Sequence, residues 1–128
     1  MTTKRTPTDS ELAILEVLWR RGASTVREVQ AGLPEGRDMG YTTALKLLQI
    51  MHVRGLVLRD ESRRAHIYSA LAPKEKTQRN LVQNLLKKGF AGSSHDLVMR
   101  VLESNPCSPE ELKKIRALLQ QFDDGDTE

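Results

Sequence analysis

The chain has 128 residues, enough for one or two small domains and one modest core, and too few for a large enzyme. Apolar residues make up 38% and charged ones 29%, with one Trp, two Tyr and two Phe, which argues against sandwiches, barrels, membrane proteins and disordered chains and for a helix-rich soluble protein. The formal charge of +3 sits in the first half: residues 1–72 hold eleven Lys/Arg against eight Asp/Glu, while residues 73–128 hold nine of each. A local cationic footprint of that kind is what a nucleic-acid binder requires, because non-specific affinity comes from phosphate neutralisation rather than from global charge.

Thr8-Asp9-Ser10-Glu11 matches a capping box, so a first helix is expected from here, with Leu12, Leu15, Leu18 and Trp19 as its apolar stripe. It should stop at Arg20-Arg21-Gly22, where cations meet the negative end of the helix dipole. Thr25-Val26-Arg27-Glu28 repeats the capping pattern and opens a brief second helix, with Val26, Val29 and Leu33 facing inward, before Pro34 forbids continuation. A Gly/Pro-containing connection over residues 34–40 follows; Arg37 within it is a candidate phosphate contact.

The third helix begins after Gly40 and closes at Gly55. Ala44, Leu47, Leu48 and Met51 recur at the spacing that places them on one side, which should face a core. Thr42, Thr43, Lys46, Gln49 and Ile50 then share the opposite side. Those groups suit a DNA major groove, where Lys reaches guanine, Gln reaches adenine, and hydroxyls and methyls meet phosphates and thymine. Two β-favouring segments, Leu56–Arg59 and His66–Leu71, bracket a polar tip that carries Arg63 and Arg64. Three helices followed by a two-stranded wing define a winged helix-turn-helix, and an arginine pair at the wing tip would lie along the phosphate backbone or enter the minor groove.

Pro73 marks the expected boundary between a DNA-binding domain, residues 1–72, and a helical dimerisation domain, residues 73–128. A fourth helix is expected over about Lys74–Lys88, with Leu81, Val82, Leu85 and Leu86 on its stripe and Gly89 as its stop. A fifth starts at Ser93-Ser94-His95-Asp96 and carries Leu97, Val98, Val101 and Leu102 until Pro106. Ser108-Pro109-Glu110-Glu111 opens a sixth, striped by Leu112, Ile115, Leu119 and Phe122, with fraying expected from Asp123 to Glu128. These helices are too short a stretch for a self-sufficient core, so either a second copy of the chain covers them or they fold back on the winged helix.

Cys107 is alone, and His52, His66 and His95 show no zinc-site spacing with it; no metal, cofactor or catalytic motif is expected. The amino-terminal residues lack the apolar core of a signal peptide, so the expected location is cytoplasmic.

Taken in order, Thr8–Trp19, Val-Arg-Glu-Val (26–29), Tyr-Thr-Thr-Ala (41–44), Arg-Gly-Leu-Val (54–57), Tyr68 and Ser-Pro-Glu-Glu-Leu (108–112) resemble the penicillinase-repressor family over nearly the whole chain. The resemblance implies a homodimeric winged-helix repressor that acts on inverted-repeat operators, controls β-lactam-response or related genes, and uses Tyr41, Thr42 and Thr43 in its recognition helix. In the antibiotic-responsive members it also implies a membrane sensor metalloprotease as partner, which triggers cutting at an Asn-Phe bond in the dimerisation part. The corresponding stretch here, Leu97–Leu102, has no Asn-Phe, so that cleavage site is not carried over. The copper-responsive branch's cysteine cluster is absent too. The competing expectation is a winged helix used as a protein-interaction module without specific DNA binding.

Overall fold

The computed structural model describes residues 6–125. The described chain divides into two compact units, the first ending at Gln83 and the second beginning at Asn84. The first unit holds α1 (Asp9–Arg21), α2 (Val26–Gly32), α3 (Tyr41–Arg54), β1 (Val57–Asp60) and β2 (Ile67–Ala70). Helix α4 (Lys74–Phe90) begins in the first unit and ends in the second, which also holds α5 (Ser94–Ser104) and α6 (Pro109–Gly125).

Both predicted capping boxes form. The Thr8 hydroxyl accepts from the Glu11 amide at 3.2 Å while the Glu11 carboxylate accepts from the Thr8 amide at 2.9 Å, and Thr25 and Glu28 repeat the arrangement at the start of α2. Each box satisfies amides that a helix start otherwise leaves without a partner. Helix α3 ends on Gly55, whose left-handed backbone (φ 82°, ψ 21°) costs nothing without a Cβ.

The core of the first unit collects Ile14, Leu15 and Leu18 from α1, Val26 and Val29 from α2, Ala44, Leu48 and Met51 from α3, and Val57 and Tyr68 from the wing. Helix α1 turns further than its expected stripe: Ile14 and Val17 are fully buried, whereas Leu12 and Trp19 are half-buried, with the Trp19 indole donating to the Ala72 carbonyl at 3.0 Å. Leu47 also lies only partly inside. A Cβ on Gly32 would stand 2.9 Å from Val17 Cγ1, so this glycine lets α2 close against α1.

Strands β1 and β2 pair antiparallel, with Val57 opposite Ala70 and Asp60 opposite Ile67. The wing gains a third backbone partner that sequence alone did not indicate. Ser24, between α1 and α2, exchanges two hydrogen bonds with Tyr68, at 2.9 and 2.7 Å, and is itself buried. This bridge fastens β2 to the helix-turn-helix rather than leaving a bare two-stranded ribbon, which is marginal on its own.

A second link was equally hidden. Glu11 is buried at 2% exposure, and both of its carboxylate oxygens accept from Arg54 Nη1 at 2.7 Å. The same side chain therefore closes the cap of α1 and holds the last turn of α3.

In the second unit, α4 runs through Gly89, since one glycine costs a long helix only about 1 kcal/mol, and ends instead at Ala91 and Gly92, both with positive φ. The Gly92 amide closes that end on the Leu86 carbonyl at 2.9 Å. Ser93 and Ser108 cap α5 and α6 by accepting from Asp96 and Glu111, both at 3.1 Å. The fraying expected from Asp123 does not occur through Gly125, where α6 ends; Asp126–Glu128 lie outside the described residues.

Removing the buried carboxylate takes away both an ion pair and the cap of α1. Glu11→Ala should lower stability by about 3 kcal/mol, and adding Arg54→Leu should recover part of that loss. Trp19 is the only tryptophan and sits in this unit, so its fluorescence during urea unfolding of the full chain reads the effect directly; a loss below about 1 kcal/mol would show that the pair contributes little.

Candidate nucleic-acid interface

Helix α3 has two unlike sides. Ala44, Leu48 and Met51 are wholly buried, and the turn-to-turn spacing places Thr42, Thr43, Lys46, Gln49 and Ile50 on the far side, where all five are exposed. Val53, at 85% exposure, extends this side toward the end of the helix. Two hydroxyls, an ammonium and an amide thus stand clear of the protein on a rod anchored from behind, with aliphatic groups at its distal end.

The beginning of α3 differs from those of α1 and α2. Its N-cap is Gly40, which provides no side-chain acceptor, and its first turn contains no acidic residue. No carboxylate therefore stands in the first turn, which carries Tyr41, Thr42 and Thr43. Tyr41 is 40% exposed, and the Arg27 guanidinium lies over its ring, 5.0 Å from the centroid, within the range of a cation–π contact.

The wing tip is solvent-exposed from Glu61 to His66 and includes Arg63 and Arg64. Its base is braced: Arg59 pairs with Glu61 at 2.7 Å, and the Asp60 carboxylate accepts from the Ser62 amide at 2.9 Å. Hydrogen bonds from Ser62 hold the Asp60 carboxyl below its ordinary pKa, and the Tyr68 hydroxyl and then Glu61 raise that of Arg59. Between the wing and the start of α3 lies a cleft of ≈ 270 Å³ whose lining includes Arg27, Tyr41, Arg64 and His66.

Arg37 stands apart from this group. It is half-buried in the α2–α3 connection and makes a long hydrogen bond, 3.4 Å, to the Ser10 hydroxyl. It lines a separate open depression with Gln30, Glu35 and Asp38. Arg27 went unnoticed in the sequence because it occupies an interior position of a capping box, where nothing in the local pattern signals a neighbour fourteen residues later.

The residues expected to pair two chains carry apolar surface into solvent. Leu85, Val98, Val101, Leu102 and Leu119 are 40–61% exposed, and Leu81, Leu97, Leu112 and Ile115 are half-buried. No described residue of α5 is buried, and Leu118 and Phe122 of α6 are exposed as well. Among the described residues, no group of three or more His, Cys, Asp or Glu side chains is placed to hold a metal ion, and no helix is long and apolar enough to cross a membrane.

The family model described as penicillinase repressor matches residues 7–121. The transcriptional regulator BlaI of Mycobacterium tuberculosis is 29% identical over 119 residues, covering 91% of this chain and 85% of its own. The methicillin resistance regulatory protein MecI of Mammaliicoccus sciuri is 18% identical over 112 residues, covering 88% and 91%. Among solved structures, a MarR family protein from Bacillus stearothermophilus superposes with a TM-score of 0.51 at 21% identity, covering 98% of this chain and 79% of that one, a likeness of fold.

If the outer side of α3 reads base edges, Lys46→Ala should weaken binding to the protein's preferred duplex by about 1–3 kcal/mol and leave binding to scrambled DNA nearly unchanged. Fluorescence anisotropy on the two duplexes makes the comparison, and an equal loss on both would assign Lys46 to phosphate alone.

Proposed function

The chain belongs to the penicillinase repressor family, and from that premise we propose that it represses transcription by seating a symmetric pair of winged helices on a dyad operator. DNA-binding repression is the family's activity and, with the winged-helix fold, excludes an enzyme reading. The observation that carries the reading is the two-sidedness of α3: three wholly buried residues on one side and Thr42, Thr43, Lys46 and Gln49 free on the other.

In this proposal residues 1–72 bind DNA and residues 73–128 pair the chains. Thr42, Thr43, Lys46 and Gln49 meet base edges or position the helix in the major groove. Tyr41 opens the same recognition helix, and Arg37, Arg63 and Arg64 hold the backbone or, for the wing, enter the minor groove. The apolar stripes of α4, α5 and α6, including Leu85, Val98, Val101, Leu102 and Leu119, are covered by the same stripes of a second copy, since exposed apolar side chains in such number otherwise invite association. Pairing sets two recognition helices about 34–36 Å apart, or a multiple of that, which is the spacing of half-sites on one face of the duplex. Binding DNA operators fits a cytoplasmic location. A sensor protease, if one acts on this chain, must cut somewhere other than an Asn-Phe bond in Leu97–Leu102.

The test joins assembly to binding. Val101→Glu with Leu102→Glu should convert dimers to monomers in analytical ultracentrifugation and weaken binding to a dyad by at least tenfold, about 1.4 kcal/mol, while thermal unfolding of the first unit is preserved. A wild-type chain that sediments only as a monomer contradicts the paired reading. Binding that is weak and indifferent to both salt and sequence would instead favour a protein-interaction module.

A further inference from the structure

We propose that the cleft between the start of α3 and the wing is a seat for one DNA backbone phosphate, with Arg27 as its main cation and Tyr41 as the plate that positions it. This rests on the DNA-binding reading above and adds a residue to it that neither the helix-turn-helix pattern nor the wing would nominate.

Three elements meet at the cleft. Arg27 comes from α2, Tyr41 and Leu45 from α3, and Arg64, Ala65 and His66 from the wing tip. When a recognition helix occupies the major groove and a wing lies against the neighbouring minor groove, one sugar-phosphate strand must pass between them, because that strand is the ridge separating the two grooves. The space between α3 and the wing is this cleft. Its two banks carry arginines, Arg27 on one and Arg64 on the other, and no carboxylate pairs with either among the described residues.

The contact with Tyr41 explains how Arg27 could serve there despite its length. A free arginine on a helix surface samples many rotamers, and fixing it on a phosphate costs that freedom. With the guanidinium already resting 5.0 Å from the ring centroid, much of the ordering precedes binding, and the fork keeps its donors for an anion because a ring face occupies none of them. Arg27 sits on α2 and rests against Tyr41, in a cleft whose lining does not include Thr43, Lys46 or Gln49, so its contribution belongs to the sequence-independent part of binding.

The experiment uses the full-length protein with two short duplexes, one of random sequence and one recovered by the protein from a random pool. Arg27→Ala should weaken both to the same degree, severalfold at moderate salt, and make the fall of log K with log salt shallower by about 0.9 for each bound chain. Tyr41→Leu should reproduce part of that loss and add little in the Arg27→Ala background. Ethylation interference on the recovered duplex should lose one phosphate in each half-site with Arg27→Ala. An unchanged slope and interference pattern, with Lys46→Ala still weakening the recovered duplex, would overturn the seat while leaving the DNA reading intact. Loss confined to the recovered duplex would also overturn it, by placing Arg27 on a base. If Lys46→Ala has no effect either, the DNA reading falls and the seat with it.

Discussion

The arrangement of the first unit depends on one carboxylate. Glu11 reaches back to the Thr8 amide as any capping-box glutamate does, but it is also buried beneath the far end of α3, where Arg54 grips both of its oxygens at 2.7 Å. The beginning of the first helix and the end of the third are thereby joined through a pair whose carboxylate is buried and whose guanidinium is partly exposed. A purely apolar contact at this place would allow the helices to slide, because hydrophobic burial has no directional preference. Charge-assisted hydrogen bonds do have one, so the pair helps set the angle at which α3 leaves the core.

That angle decides what the outer side of α3 can meet. Ala44, Leu48 and Met51 hold the helix against the core, Gly55 turns the chain at once into β1, and the Ser24–Tyr68 bridge keeps the hairpin beside the helices. The wing tip and the exposed threonines, lysine and glutamine of α3 thus belong to one braced body. A duplex-reading surface needs this stiffness, since base edges discriminate only when donors and acceptors arrive in register. The second unit is built on another principle. Its helices are well capped but present their leucines and valines to solvent, and such stripes are complete only when something apolar covers them.

Much of this could be read from the chain. Capping boxes at Thr8 and Thr25, the left-handed stop at Gly55 and the inward stripe of α3 follow from spacing along a single helix, and local rules are sufficient for them. The winged helix follows from the order of those elements, and the family from the motifs strung along them. What escaped notice was tertiary. Nothing near Glu11 announces Arg54, forty-three residues away, and nothing near Ser24 announces a strand partner. Arg27 and Tyr41 meet only because α2 packs against α3. The expected end of α4 at Gly89 failed for a related reason: a glycine permits a helix to stop without requiring it, and the positive φ values at Ala91 and Gly92 supply the turn instead. The rotation of α1, which buries Ile14 and Val17 ahead of Leu12 and Trp19, is likewise set by what packs around it.

The outer side of α3 is expected to lie in the major groove. Replacing thymine by 5-iodouracil puts the reactive halogen where the thymine methyl stands, on the major-groove edge. After irradiation of the bound protein on such a duplex, mass spectrometry of the cross-linked peptides should map to residues 41–54. Cross-links confined to the wing or to α4–α6, with none in α3, would place the groove-facing surface elsewhere on the protein.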